Sequence, residues 1–487
     1  MAVAKKISKT DLLLEQVRTP GSQMTLSDQI NLTVRLAVPA MFAQISHILM
    51  EYIDASMVGH LGENASASIG LVATTTWLFW GLCGALSTGF SVQVAHRIGG
   101  NDSEGARSVL RQAIVCCLAL SCLFGVIGVA ISHRLPLWLG GGSDICGDAS
   151  SYFMIFSISL PFFAMGFMMT AMLRCVGQVK LASSLNVMMC VLDVVFNFIF
   201  IFPSSQRELF GIPFTMYGAG LGVTGAAIGS MVAALVTCSV LVYFLCFRSP
   251  HLALFGKRKH ERSHLALFRP TPRVVKKALK IGIPIGFERS ILCFAQITTT
   301  MIVAPLGKAA IAANAFGVTA ESLCYMPGFG IGDAATTLVG QSVGAKRKDF
   351  IRRFANITVV MGVIIMTLMG AVMYIAAPGM MSLLSPVEEI ITMGTDALRI
   401  EAFAEPLYAA SIVCYGVFVG AGDTLIPSCM NLGSIWVFRI TLAIILAPVM
   451  GLNGVWLAMC IELCLRGILF LLRLRSSRWI PKGINNS

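Results

Sequence analysis

The chain alternates between long apolar runs and short polar connections. Each apolar run reaches about 20 residues, the length that an α-helix needs to cross a bilayer. The runs are centred near residues 47, 80, 121, 161, 193, 234, 290, 325, 365, 408, 438 and 462. Twelve runs of this length predict an all-α polytopic membrane protein with twelve transmembrane helices.

The composition excludes most soluble classes of protein. Hydrophobic residues make up 56% of the 487 positions and charged residues 12%, and the mean hydropathy is +0.79. Soluble domains carry about 25% charged residues. The spans use most of the chain and leave no room for a large extramembrane enzyme domain. The fifteen cysteines lie almost entirely inside the spans without zinc-ligand spacing, so we interpret them as packing residues.

The net charge of +12 is concentrated in alternate connections. The basic set comprises the N-terminal residues up to Arg35, the connections 97–111, 174–180 and 248–280, the stretch 346–353, and the tail from Arg466. The other connections hold only Arg134, Arg207 and Lys308. The positive-inside rule then predicts that both termini and 248–280 are cytoplasmic. These patches indicate topology and contact with membrane lipid, not nucleic acid.

The two halves of the chain repeat each other at a constant offset of 245 residues. The offset aligns 36–62 with 281–307, and within them Pro39 with Pro284 and Gly62 with Gly307. It also aligns the motif AHRIGG (95–100) with GQSVGA (340–345), and RCVGQ (174–178) with the GAGD motif around Gly422. Pro161 falls on Pro406 at the same offset. Each half holds six spans, and an even number predicts a parallel repeat about an axis along the membrane normal. Two such lobes suit alternating access of a central cleft.

This repeat predicts five segments along the chain. They are a cytoplasmic N-terminal segment (1–35), an N-lobe with spans 1–6 (36–247), a cytoplasmic linker (248–280), a C-lobe with spans 7–12 (281–472) and a cytoplasmic tail (473–487). The first 22 residues lack the apolar core of a signal peptide and are interpreted as a short amphipathic lead-in.

Several motifs, in register with the repeat, resemble one family. IDASMVGHLG after the first span, VGQSVGAKR after the eighth and FVGAGDT before the eleventh are similar to sequences of multidrug and toxic-compound extrusion (MATE) transporters. The resemblance covers about residues 28–472. It implies a twelve-helix, V-shaped antiporter that expels organic compounds, often cationic and aromatic, in exchange for H⁺ or Na⁺. We expect no cofactor besides that coupling ion.

Acidic residues inside membrane spans are costly and are functional candidates by default. Gln44, His47, Glu51 and Asp54 recur at intervals of three and four residues, so they share one face of the first span. Such a polar stripe faces either a cavity, where it binds substrate or ion, or a partner helix, where it only forms hydrogen bonds. For His47 alone, packing is the simpler interpretation.

The fifth span carries a second candidate pair, Asp193 and Asn197, four residues apart on one face. In the family this region reads Asn and then Asp, so the order here is swapped. The resemblance implies a cation site formed by these two residues, the first-span Asp54 and the sixth-span hydroxyl Ser230. Oxygen ligands suit Na⁺, held by Asp54, Asp193 and Asn197, and carboxylates alone can carry H⁺. The repeat pairs Asp54 with Thr299, so we expect the coupling site in the N-lobe only.

The second half has its own acidic residues, among which Glu288, Glu321 and Glu405 are candidate contacts for a cationic substrate. Glu288 has the alternative of pairing with its neighbour Arg289. In the sodium-coupled branch of the family, the acids of spans seven and ten align with Leu292 and Tyr408 of this chain. That departure leaves a C-lobe cation site open. Asp423 in GAGDT is interpreted as a turn residue.

The sequence thus predicts a secondary antiporter of a bacterial inner membrane that acts as a monomer on small organic substrates. The alternative is a flippase for a lipid-linked oligosaccharide, which would present cations to a diphosphate. The exceptions to the acidic character of the spans are Arg289, Arg399 and Arg439. A membrane-embedded enzyme or channel is disfavoured because no metal-ligand or nucleophile constellation is visible, and no GxxxxGK[ST] loop indicates direct use of ATP.

Overall fold

The computed structural model describes residues 8–209, 212–249, 251–254, 268–476, 478–481 and 484. A short helix, α1 (Lys9–Arg18), precedes the long helices. The N-lobe then contains α2 (Leu26–Gly59), α3 (Glu63–Gly99), α4 (Ser103–Ile131), the single turn α5 (Leu135–Trp138), α6 (Ser143–Cys175), α7 (Val179–Ile201) and α8 (Gly222–Tyr243). A π-helical turn, Phe244–Arg248, extends α8.

The C-lobe repeats this order after the linker. It contains α9 (Pro272–Val303), α10 (Lys308–Gly344), α11 (Lys348–Leu384), α12 (Glu388–Ala402), α13 (Glu405–Ala421), α14 (Leu425–Gly433), α15 (Thr441–Met450) and α16 (Leu452–Arg475). A π-helical segment, Ser434–Ile440, joins α14 to α15 in one span. α12 and α13 form another span that bends by 62°.

These helices confirm the predicted twelve-helix, two-lobe fold. Ten described helices are long and apolar enough to cross a membrane, and the bent pair α12–α13 makes an eleventh. The twelfth is α10, a 37-residue helix with many buried small residues. Each of the twelve predicted centres falls inside one of these helical segments. The first span begins earlier than predicted, at Leu26, because the Thr25 hydroxyl accepts a hydrogen bond from the Asp28 amide and caps the helix there.

Left-handed backbone conformations repeat with the sequence. Gly62 and Gly307, which start α3 and α10, have φ of 117° and 108°. Asn101 and Lys346 have φ of 57° and 58°, and Gly177 and Gly422 have φ of 96° and 84°. Residues that adopt positive φ mark tight helix connections. Each pair is separated by the offset found in the sequence, so the two lobes share the geometry of their connections as well as their helices.

One connection differs from the all-α prediction. Residues Pro203–Leu209 (β1) and Ile212–Ala219 (β2) form an antiparallel hairpin between α7 and α8. This is the stretch that has no counterpart in the second half. Its strands are short and carry no long apolar run, so hydropathy alone did not reveal them.

The lobes meet through α2 and α3 on one side and α9 and α10 on the other. Gly99 and Gly344 end α3 and α10, and a side chain on either would collide with a backbone carbonyl of the opposite lobe, Gln341 or His96. The His96 ring also lies 2.8 Å from the Gly420 carbonyl oxygen. The repeated AHRIGG and GQSVGA motifs therefore pack against each other. Their close contact holds the lobes together at the side predicted to be cytoplasmic.

Candidate functional site

Three predicted residues of the N-lobe come together where α2 crosses α7. The Asn197 amide nitrogen donates hydrogen bonds to Asp54 Oδ1 at 2.9 Å and to Asp193 Oδ2 at 3.0 Å. Asp193 and Asn197 are each 1% exposed, and Asp54 is half-buried. One amide thus bridges two carboxylates from different helices.

The sixth span completes this cluster. The Ser230 hydroxyl lies beside the Asp193 carboxylate. The preceding residue, Gly229, packs so closely on α7 that an added side chain would collide with the Asn197 amide group. The Asn197 amide oxygen is buried and accepts no hydrogen bond from any described residue. Buried polar atoms normally have partners, so this oxygen and the two carboxylates form an oxygen-rich pocket suited to a small cation.

The rest of the predicted stripe runs along α2 away from this pocket. The side chains of His47 and Glu51 are 37% and 41% exposed and lie 3.6 Å apart. Gln44, at the other end of the stripe, lies 3.4 Å from Asp333 of α10. The stripe therefore extends from the N-lobe pocket to the contact between the lobes.

At that contact, Asp333 forms an ion pair with Arg174 from the end of α6. The charge pattern of the sequence indicates only a topological role for Arg174, in the predicted cytoplasmic connection 174–180. The structure instead places its guanidinium against a carboxylate of the opposite lobe. A charge count along the chain does not show such a pair because its members are 159 residues apart.

Glu288 lies inside the C-lobe rather than on its surface. Its carboxylate accepts hydrogen bonds from the Tyr415 hydroxyl and the Asn431 amide, both at 2.7 Å. It is 5% exposed. The sequence left open whether Glu288 pairs with Arg289. The described residues contain no ion pair between these two side chains. Arg289 instead lies exposed on α9, with its side chain beside Gly81 of α3.

The other C-lobe acids surround a fixed pair of arginines. Glu462 is fully buried and binds Arg439 at 2.7 and 3.0 Å, Arg466 at 3.3 Å and the Ser434 hydroxyl. Ser434 and Arg439 both lie in the π-helical segment, which turns them toward α16. The count of basic residues grouped Arg466 with the cytoplasmic tail. Arg466 is buried within α16, because its neighbouring turn carries the carboxylate that neutralises it.

Glu321, Glu401 and Glu405 complete this C-lobe cluster. Glu321 is 5% exposed and lies within electrostatic range of both arginines. Glu401 and Glu405 flank the bend between α12 and α13, and their carboxylate oxygens have no hydrogen-bond partner among the described residues. Glu401 was not a predicted site residue. Asp423 lies in the turn after α13, as predicted, and pairs with Arg473.

Comparisons with known proteins agree with this architecture. The MatE family model matches the chain twice, at residues 39–199 and 284–445, and the two matches begin at the repeated prolines. The probable multidrug resistance protein NorM of Thermotoga maritima is 23% identical over 454 residues, covering 93% of both chains. The protein of the same name from Idiomarina loihiensis is 26% identical over 467 residues, covering 92% of this chain and 94% of its own.

Solved structures share the fold over nearly the whole chain. An outward-facing multidrug resistance MATE family transporter of the MOP superfamily superposes with a TM-score of 0.85 at 21% identity, covering 97% of this chain and 99% of its own. A MOP superfamily transporter from Pyrococcus furiosus, described as having a binding pocket of reversed polarity, has a TM-score of 0.84 at 21% identity and the same coverage. With both lobes matched by the family model, the chain belongs to the multidrug and toxic-compound extrusion (MATE) family of membrane transporters.

Proposed function

We propose that this transporter is an antiporter that exports organic compounds in exchange for H⁺ or Na⁺ bound at Asp54, Asp193 and Asn197. One observation carries the proposal: two carboxylates meet at a single amide, and neither forms an ion pair with a described Lys or Arg. Two negative charges confined in a medium of low dielectric constant repel each other strongly. A proton or Na⁺ removes that repulsion, so the pocket favours binding of one cation.

The position of the pocket suggests how ion binding is coupled to movement. Asp54 lies on α2, which packs on α7 within the N-lobe and on α10 across the lobe contact. Occupation of the pocket changes the attraction between Asp54 and α7. Because Gln44 of the same helix reaches Asp333, a shift of α2 also alters the contact between the lobes. Both ion binding and the relative position of the lobes therefore affect the position of α2.

The half-exposed part of the α2 stripe supports binding of cationic substrates. Glu51 and His47 present a carboxylate and an imidazole to the space beside α2. A carboxylate in a partly desolvated cleft attracts organic cations. The buried Glu288, Glu321 and Glu405 lie deeper in the C-lobe, and a substrate contact by any of them requires the lobe to open.

One observation favours the flippase alternative. Arg289 is exposed near the middle of α9 and forms no ion pair with any carboxylate in the described part of the chain. An unpaired guanidinium at this depth suits a phosphate group. Of the other two intramembrane arginines, Arg439 is already neutralised by Glu462, and Arg399 lies over the Tyr374 ring.

Gradient-driven transport in proteoliposomes tests the ion site. We expect Asp54→Asn to abolish export driven by a proton or sodium gradient, while detergent-solubilised protein still binds substrate. Asp193→Asn is expected to be milder because it creates the family's usual residue there, and Asp193→Asn with Asn197→Asp is expected to recover export. Asp144→Asn, at an exposed carboxylate of α6, is the matched control. Wild-type export by both single variants would contradict the N-lobe assignment and favour Glu288, Glu321 and Glu405.

The same vesicles separate the two substrate classes. A labelled cationic dye is expected to be transported and a labelled lipid diphosphate is not. The reverse result, with loss on Arg289→Gln, would support the flippase. Reporters fused after residue 260 and at 140–145 test the predicted orientation, cytoplasmic for the first and external for the second.

A further inference from the structure

The amphipathic helix α1 packs on protein at the predicted cytoplasmic side. Leu13, Leu14 and Val17 form its apolar face, and each is at most 5% exposed. Leu14 fits against Gly177, the left-handed residue of the repeated RCVGQ motif, where any side chain would collide with it. The same apolar cluster includes residues of α10 and α11 in the C-lobe. α1 therefore fills a notch at the junction of the two lobes.

Arg18, the last residue of α1, joins the lobes directly. Its Nε donates a hydrogen bond to Gln341 Oε1 of α10 at 3.1 Å, and its Nη2 donates to the Val176 carbonyl oxygen after α6 at 3.3 Å. The Arg18 carbonyl oxygen accepts a hydrogen bond from Asn101 of the N-lobe at 3.5 Å. The side chain also lies 3.4 Å from a ring nitrogen of His251 in the linker.

This guanidinium is buried without a carboxylate in ion-pair range among the described residues. Arg18 is 9% exposed, and burial lowers its pKa to about 10, so it remains charged at neutral pH. A buried cation that depends on neutral acceptors is costly unless all of them stay in place. Here the acceptors belong to different lobes. Separation of the lobes at this side would remove at least one of them.

The segment after α1 is attached to the C-lobe. Arg347, at the start of α11, donates hydrogen bonds to the carbonyl oxygens of Thr19 at 3.1 Å and Ser22 at 2.9 Å. Asp349 holds the Arg347 guanidinium in place at 3.1 Å. Because this segment leads into α2 of the N-lobe, it forms a second link between the lobes.

We propose that α1 is a latch that holds the predicted cytoplasmic side of the cleft closed and leaves its notch when that side opens. This inference rests on the alternating access of the proposed function. The repeated motifs supply the notch: RCVGQ contributes Val176 and Gly177, and GQSVGA contributes Gln341. In the closed arrangement α1 contributes apolar contacts and hydrogen bonds that the open arrangement lacks. Its removal therefore shifts the equilibrium toward opening at that side.

Hydrogen–deuterium exchange on the full-length protein in lipid nanodiscs tests the latch. The measured peptides cover the ends of α3 and α10, at 90–100 and 335–345. We expect Arg18→Ala to speed exchange in both by about tenfold, the factor corresponding to loss of one hydrogen bond to a charged group. Lys9→Ala, which removes an exposed charge from the same helix, is the matched control and is expected to match the wild type.

A second variant distinguishes loss of the latch from misfolding of the Arg18→Ala protein. Arg18→Lys keeps the charge but cannot reach both acceptors with one planar group, so it is expected to give a smaller increase at the same two ends. Unchanged exchange at 90–100 and 335–345 in both variants would overturn the latch. An increase confined to α1 itself would also overturn it, because α1 would then be bound to the lobes without holding them together.

The exchange experiment needs neither an ion gradient nor a substrate, so its result is independent of the coupling site. If the Asp54 and Asp193 variants transport normally while Arg18→Ala speeds exchange, the coupling proposal fails and the latch stands. If those variants lose transport while Arg18→Ala leaves exchange unchanged, the latch alone fails.

Discussion

In the N-lobe, Asp54 and Asp193 meet at the amide of Asn197, and neither forms an ion pair with a described Lys or Arg. In the C-lobe, Glu462 lies between Arg439 and Arg466. Both clusters are buried in lobes that share helix order and connection geometry. The difference lies in the positive charge beside the carboxylates. Arginines of the protein supply it in the C-lobe, and no described Lys or Arg supplies it at Asp54 and Asp193.

This contrast shows that the two lobes of a duplicated fold can use buried carboxylates in different ways. A carboxylate with fixed arginine partners is held in one state and stabilises the structure around it. A pair of carboxylates without such partners is stabilised when a proton or Na⁺ binds to it, which is the role proposed for the N-lobe pair. The same chemical change, from a carboxylate to its amide, should therefore have opposite consequences for stability in the two lobes.

The largest expected effect is on stability at Glu462. Glu462→Gln leaves two buried guanidinium groups without their ion-pair partner, so the free energy of unfolding should fall by about 3–5 kcal/mol. Asp193→Asn should leave it unchanged or raise it, because repulsion with Asp54 is removed. Thermal unfolding of the purified protein in detergent measures both. Equal losses of unfolding free energy in the two variants would mean that the carboxylates of the two lobes contribute equally to stability.

The next effect concerns the packing that positions Asn197. Gly229→Ala would place a methyl group 2.8 Å from the Asn197 backbone nitrogen and against its amide oxygen. We expect overpacking to cost about 1–3 kcal/mol and to lower gradient-driven export strongly. Gly166→Ala in α6 is the control, since its methyl group would meet only Leu241 at 4.0 Å. Normal export by Gly229→Ala would show that the Asn197 geometry tolerates displacement.

A smaller effect is expected at Glu405. Its carboxyl group has no hydrogen-bond partner in the described part of the chain, so Glu405→Gln changes it to an amide without breaking a hydrogen bond. The free energy of unfolding should change by less than about 1 kcal/mol, the scale of one neutral hydrogen bond. A loss close to that of Glu462→Gln would assign Glu405 to the fixed ion-pair network. Chemical denaturation of the two variants side by side makes this comparison.

The smallest effect is expected at His47. The His47–Glu51 contact is partly exposed, and such pairs contribute about 0.2–1 kcal/mol. His47→Ala should therefore change the apparent affinity for a cationic dye by less than about fivefold and leave stability unchanged. A complete loss of gradient-driven export would instead give His47 a part in carrying protons.

The sequence predicted those features that depend on one segment or on one regular offset. Apolar run length placed the twelve spans, and the spacing of Gln44, His47, Glu51 and Asp54 placed them on one face. The positions of Asp193 and Asn197 beside Asp54 followed from family resemblance, because nothing in one helix tells which other helix it meets.

The C-lobe cluster could not be predicted in the same way. Arg466 looked like a tail residue because it lies near the end of the last apolar run. Its partner Glu462 is one turn earlier on the same helix, but the contact of Glu462 with Arg439 from another helix is not visible in the sequence. Arg18 and Arg174 were counted only as cytoplasmic charges, because one precedes the first apolar run and the other lies in a connection between two runs. A count of charges along the chain gives no information about partners that are more than a hundred residues away.

The weak hydropathy of α10 has a consequence for how the protein is made. Among the described helices, α10 is the one long helix that is absent from the eleven spans apolar enough by themselves to cross a membrane. It carries Glu321, Asp333 and Pro327, and it packs on α2 and α3, which the ribosome produces first. During biosynthesis these N-lobe helices are already inserted when α10 emerges, and they can shield its polar groups from lipid. We therefore expect insertion of α10 to depend on the first lobe, because the C-lobe expressed alone would lack α2 and α3, two of the helices on which α10 packs.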